Sequence, residues 1–139
     1  MLRVFRSAHV LLPAAFLALA ACSSTKSDAT PAAATVSVEE VREQVRQFGM
    51  GGGEKDAAGE KFYEWGAAAH PALIQLARDP SLTDEEADVM MFIAAVYAHT
   101  PPLFDALRER IDAMPDPEAR ATRLQLLEQY QAMPGVSKS

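Results

Sequence analysis

The 139-residue chain has little of the chemistry on which most enzymes and metalloproteins depend. One cysteine excludes an intrachain disulfide, and one cysteine with three histidines gives no ligand set at the spacing of a zinc site. The motifs GxSxG and HExxH are absent. No cluster of basic residues indicates a nucleic-acid surface. The features left to indicate a function are the position of the single cysteine and the pattern of apolar residues along the chain.

The N-terminus has the three parts of a secretory signal. Arg3 and Arg6 give it positive charge, residues 10–21 are all apolar or proline, and the small residues Ala20 and Ala21 end it. The apolar run is shorter than the ~20 residues needed to span a bilayer. We therefore predict a signal peptide over residues 1–21, and not a transmembrane helix.

The segment Leu19-Ala20-Ala21-Cys22 resembles the lipobox of bacterial lipoproteins. The resemblance implies that Cys22 receives a diacylglyceryl group, that cleavage precedes it, and that the new amino terminus is acylated, usually with palmitate. In lipoproteins of enteric-type bacteria, Asp directly after the Cys signals inner-membrane retention. Because Ser23 stands there in this chain, the resemblance favours the outer membrane, facing the periplasm. The alternative is a plain secretory signal followed by a free thiol.

After the predicted cleavage, a short tether precedes one small domain. Residues 22–36 are rich in Ser, Thr, Ala and Pro, which predicts a flexible tether. Residues 37–134 form the predicted helical domain, and residues 135–139 a disordered tail. The mature chain carries 11 basic and 19 acidic residues, a net charge of −8, which argues against binding to nucleic acid or to anionic lipid.

Helix signals repeat along the domain and strand signals are nearly absent, which predicts an all-α fold with about five or six helices. The glycine-rich segment 49–53 is expected to be an interhelical loop. Helix starts are predicted from capping residues or early prolines at Ser37 with Glu40, His70-Pro71, Thr83 with Glu86, Thr100-Pro101 and Asp116-Pro117. A further helix is predicted from about Lys55 to Trp65.

The segment WGAAAHPALIQLARDPSLTDEEA, residues 65–87, resembles a HEAT-type helical repeat. The resemblance covers roughly residues 60–98 and implies antiparallel helical hairpins that stack into a short array. The recurrence of Asp-Pro at 79 and 116 and of Pro at 71 and 102 follows no single period. A small closed helical bundle therefore stays open as the alternative.

Candidate sites for catalysis or metal binding are weak. The segment GMGGGEKD lacks the Ser or Thr and the glycine spacing of a phosphate loop. His70 and His99 are expected to be capping or surface residues, and DEEAD, residues 84–88, lacks the alternating ligands of a calcium loop. We therefore predict no catalytic residues, no metal and no cofactor, although a carboxylate pair for glycoside hydrolysis stays open.

The segment VMMFIAAVYA, residues 89–98, has almost no polar side chain. Such a helix is normally buried between its neighbours. The alternative is that Met90, Met91 or Phe92 leaves an exposed face for a partner, because methionine-rich surfaces adapt to bound helices.

These patterns favour a lipid-anchored cell-envelope protein whose helical domain binds another envelope protein and has no catalytic activity. Two alternatives are an inhibitor or immunity lipoprotein against a basic enzyme, and a carrier that encloses an apolar ligand around residues 90–97.

Overall fold

The computed structural model describes residues 35–135, which form six α-helices, one 3₁₀ turn and no strand. The predicted all-α fold is therefore confirmed. The leader, Cys22 and nearly all of the tether lie outside the described residues, as does most of the tail, and those predictions stay predictions. The helices are α1 (Val38–Met50), α2 (Gly52–Trp65), α3 (His70–Ala77), α4 (Asp84–Val96), α5 (Pro101–Asp112) and α6 (Pro117–Ala132), with the 3₁₀ turn at Gly66–Ala69.

The five helix starts predicted from capping residues or prolines are confirmed, with one difference in detail, whereas the helix predicted from about Lys55 begins earlier, at Gly52. The side chains of Ser37 and Thr83 each accept a hydrogen bond from the backbone N–H of the glutamate three residues on, and the carboxylate of that glutamate accepts one from the cap residue's own N–H. Asp116 accepts bonds from two N–H groups of the first turn of α6. Thr100 occupies the cap position of α5, but its side chain makes no capping hydrogen bond.

The glycine-rich segment is not the loop that the sequence predicted. Helix α1 continues through Gly49 to Met50, and α2 already begins at Gly52. The prediction was wrong because a single residue, Gly51 (φ 80°), separates the helices; it and the first residue of α2, Gly52 (φ 60°), adopt left-handed backbone that other residues rarely adopt. The two helices pack against each other directly.

Helix α4 lies at the centre of the domain, where it packs against α1, α3, α5 and α6. Helix α1 also packs against α2 and α3, α3 against α5, and α5 against α6. This contact pattern agrees with a short array and with a small bundle, so the HEAT-like stacking stays a prediction. No helix within residues 35–135 is long and apolar enough to cross a membrane.

The central position of α4 corrects one predicted site. Met90 is 0% and Met91 1% exposed, and Phe92 is half-buried against the core. The two methionines therefore cannot form an exposed partner face, because neighbouring helices cover them. The void beside Met91 measures only about 10 Å³, too small for an apolar ligand.

A buried carboxylate joins α1 to the start of α4. Glu86 accepts hydrogen bonds from Arg42 at 3.0 and 3.2 Å, from Arg46 at 2.9 Å and from the Thr83 N–H at 2.9 Å. Burial alone would raise the pKa of Glu86, but these donors outweigh it and lower the pKa to about 2. This network fixes α1 relative to α4, and these two helices carry two aromatic residues that matter below, Phe48 and Phe92.

Candidate functional site

Two adjoining surface recesses, which share Tyr63 and Tyr97, form the candidate site. The first, here called the lysine recess, has a volume of about 580 Å³ and is lined by Phe48, Lys55, Asp56, Gly59, Glu60, Tyr63 and Tyr97. The second, here called the histidine recess, measures about 600 Å³. Its walls come mainly from the end of α2, the 3₁₀ turn and the end of α4, and they include Tyr63, Glu64, Trp65, His70, Tyr97 and His99.

Tyr63 stands at the border of the two recesses and is 58% exposed. Its helix places Lys55, Gly59 and Tyr63 four residues apart, so all three lie on one face of α2. Trp65 ends the same helix and is half-buried, with its ring edge-on to Phe62 at 5.7 Å. Tyr63 at the border and Trp65 in the histidine recess therefore both contribute aromatic surface to the site.

The ammonium group of Lys55 lies over two aromatic rings, that of Phe48 in the lining of the lysine recess and that of Phe92 beside it. The Nζ atom of Lys55 lies 5.3 Å from the ring centroid of Phe48 and 5.5 Å from that of Phe92. The two rings are themselves 5.7 Å apart, and Tyr97 meets Phe48 edge-on at 6.0 Å. These distances are those of cation–π contacts, in which the negative face of the ring attracts the charge.

Gly59 sets the position of the tyrosine that the recesses share. A Cβ atom on Gly59 would lie 2.6 Å from the Tyr97 hydroxyl oxygen, closer than any real Cβ contact. Only glycine therefore allows the Tyr97 ring to lie against α2. The close approach gives both recesses their common wall.

The histidine recess brings together the two histidines that the sequence left unpaired. His70 begins α3 and is half-buried, and burial lowers its pKa below the ordinary 6.5. His99 is exposed, and its Nε2 atom lies 3.1 Å from the Gln131 carbonyl oxygen. Because a carbonyl oxygen can only accept a hydrogen bond, this contact requires the tautomer of His99 that carries a proton on Nε2. Its ring also contacts Phe104 at 4.9 Å.

Within residues 35–135, no group of three or more His, Cys, Asp or Glu side chains could hold a metal ion. The acids of the segment DEEAD mostly serve ion pairs. Asp84 pairs with Arg110 at 3.6 Å, Glu86 with two arginines, and Asp88 with Arg123 at 2.7 Å. These pairs connect α4 to α1, α5 and α6.

Acidic residues outnumber basic residues by two to one over the described part of the chain. Residues 35–135 contain nine basic and eighteen acidic residues, a net charge of −9. Eight of the nine basic side chains contact a carboxylate or a backbone carbonyl oxygen of the domain: Arg42, Arg46, Lys61, Arg78, Arg108, Arg110, Arg120 and Arg123. Lys55 is the exception among the described residues, because its ammonium lies over aromatic rings.

Sequence reasoning missed both recesses, although it named Phe92 as a possible partner-surface residue, and the Phe92 ring lies 5.5 Å from the Lys55 ammonium. The spacing of Lys55, Gly59 and Tyr63 was a usable signal for one face of α2, but it does not show which residues of α1 and α4 lie opposite. Comparison of the chain with protein-family models, with curated proteins and with solved structures gave no match. The function must therefore be argued from the site itself.

Proposed function

We propose that the chain is a lipid-anchored cell-envelope protein, attached through Cys22 to the outer membrane and facing the periplasm, whose helical domain binds another envelope protein. The anchor rests on the lipobox resemblance of residues 19–22. The role is binding and not catalysis, because the recesses offer aromatic faces, carboxylates and imidazoles without a recognisable nucleophile–base arrangement.

One observation carries the binding role: Tyr63 is exposed at the border of two recesses that together present Trp65, Tyr97, carboxylates and histidines. Tyrosine and tryptophan are enriched among the residues that contribute most binding energy at protein interfaces. Each combines a large apolar area with a polar atom and loses little conformational entropy on binding.

The anchor is tested by replacing Cys22 with Ser and fractionating the cells. We expect the natural chain to sediment with membranes and to carry the mass of the acyl groups, and the variant to lose both properties. An unacylated natural chain that still sediments with membranes would refute the anchor.

The binding surface is tested with a photo-crosslinking amino acid in place of Tyr63, in cells that produce the full chain. We expect one discrete protein adduct. The matched control carries the same amino acid in place of Glu118, an exposed position on α6 outside both recesses. Equal adducts at both positions, or none at Tyr63, would contradict the proposal.

A second candidate is an inhibitor or immunity lipoprotein that neutralises a basic enzyme. The charge of −9 over residues 35–135 favours it, because the basic side chains are already engaged within the domain and the excess carboxylates remain for a partner. Under this candidate the Tyr63 adduct is a basic enzyme, and adding the purified chain lowers that enzyme's activity.

A further inference from the structure

We infer that the lysine recess docks a lysine side chain from a basic segment of the partner protein, and that Lys55 occupies this position until the partner displaces it. The inference rests on the proposed binding function and names the chemistry of the partner. It makes the aromatic pair Phe48 and Phe92 a receptor for an ammonium group.

The structure itself shows which group the aromatic pair accepts. The Lys55 ammonium lies within 5.5 Å of both ring centroids, whereas the other eight basic side chains of residues 35–135 contact oxygen atoms. A lysine ammonium of another chain meets the same two ring faces with the same geometry. The bound state of an external lysine is thus already represented by an internal one.

The surroundings of the pair complement a basic segment. Asp56 and Glu60 border the recess one helical turn apart, and the Tyr63 ring adjoins them. The excess of acidic residues over the domain attracts a basic chain from a distance, while the rings select the position of one ammonium group.

Displacement of Lys55 costs little. A cation–π contact at an exposed site is worth only about a two- to fivefold factor in an equilibrium constant. Lys55 is exposed and makes its contacts from the first turns of α2, so its side chain can swing into solvent without unfolding the helix. The internal lysine therefore keeps the rings covered but weakens binding of a partner only modestly.

The test measures binding of fluorescein-labelled hexalysine to the full chain, purified in a neutral detergent, by fluorescence anisotropy. Lys55→Ala vacates the rings and removes a like charge, so we expect about three- to tenfold tighter binding. Lys55→Arg retains an internal cation and should stay within about twofold of the natural chain. Arg78→Ala is the matched control, because it removes the same charge from an exposed position outside the recess.

The acidic border is tested by the double variant Asp56→Asn/Glu60→Gln, which should weaken hexalysine binding about fivefold. If Lys55→Ala and Arg78→Ala tighten binding equally, the effect is long-range charge alone and the inference fails. If free spermidine binds as tightly as hexalysine, the recess is a polyamine site and the inference of a protein segment also fails.

These outcomes are separate from those of the crosslinking experiment. A Tyr63 adduct together with no effect of Lys55→Ala refutes the docked lysine and leaves the binding function standing. Tighter hexalysine binding by Lys55→Ala without any Tyr63 adduct refutes the binding function and leaves the ammonium site standing.

Discussion

Replacing the buried carboxylate Glu86 with Gln should cost the domain a large share of its stability. The pKa of Glu86 is about 2 in the folded chain against an ordinary value of 4.5. A gap of that size corresponds to about 3 kcal/mol of favourable interaction with the ionised form. Gln retains the size and part of the hydrogen bonding, while Arg42 keeps its 2.7 Å bond to the Ser81 carbonyl. We therefore expect a loss of about 2–3 kcal/mol at pH 7.

The loss in the free energy of unfolding is measured by urea unfolding monitored by circular dichroism. For a domain of this size it should lower the midpoint of thermal unfolding by about 10–20 °C. The matched control is Glu85→Gln, an exposed acid in the same helical turn. That change should alter the free energy of unfolding by less than about 0.5 kcal/mol.

The pH dependence provides a second, independent check. Because folding lowers the pKa of Glu86, its contribution to stability is complete above about pH 4.5 and is lost as the pH falls toward about 2. The difference between the natural chain and Glu86→Gln should therefore narrow from pH 7 to pH 3. A difference below about 0.5 kcal/mol at pH 7, or one that stays constant over this range, would refute the argument.

Three further predictions follow from single contacts. Asp116→Ala should lower the free energy of unfolding by about 1 kcal/mol, because the Asp116 side chain makes capping bonds, whereas Thr100→Ala should lower it by less than about 0.5 kcal/mol, because the Thr100 side chain makes none. Urea unfolding measures both. Gly59→Ala should lower the free energy of unfolding by about 1–3 kcal/mol, because the added Cβ clashes with the Tyr97 hydroxyl. Gly53→Ala, whose Cβ meets open space in the same helix, should raise it by up to about 1 kcal/mol. Changes of the same sign in urea unfolding would contradict this explanation. The pKa of His70 should lie below 6.5 in an NMR titration, so stability should fall as the pH drops below 6.5, and His70→Asn should remove that decline.

The sequence predicted the helices well because their signals are local. The capping boxes at Ser37 and Thr83 involve atoms three residues apart, and the proline of Asp116-Pro117 sits where the first helical turn needs no N–H donor. The prediction of a loop at the glycine-rich segment was wrong because composition alone does not fix the backbone conformation of each residue. Counting glycines does not show which of them take left-handed backbone: Gly49 and Gly53 stay helical, whereas Gly51 and Gly52 take positive φ.

The exposure of the central helix could not be predicted from its own residues. Met90 and Met91 lie in a segment that is apolar on every side, so its periodicity does not show which side faces a neighbour. The structure decides this through contacts made far along the chain, with α1 and α6 both packed against α4. A methionine-rich run therefore does not by itself indicate a partner surface when several other helices of the same domain can bury it.

The contact of Lys55 with its two aromatic rings depends on three helices at once, which explains why the sequence alone did not reveal it. Phe48 comes from α1, Lys55 and Gly59 from α2, and Phe92 from α4, and Glu86 holds the first and last of these helices together. Loss of the Glu86 network should therefore loosen the aromatic pair as well as the core. If Glu86→Gln destabilised the fold yet left hexalysine binding unchanged under conditions where the variant is folded, the recess would be shaped by local packing around Gly59 alone.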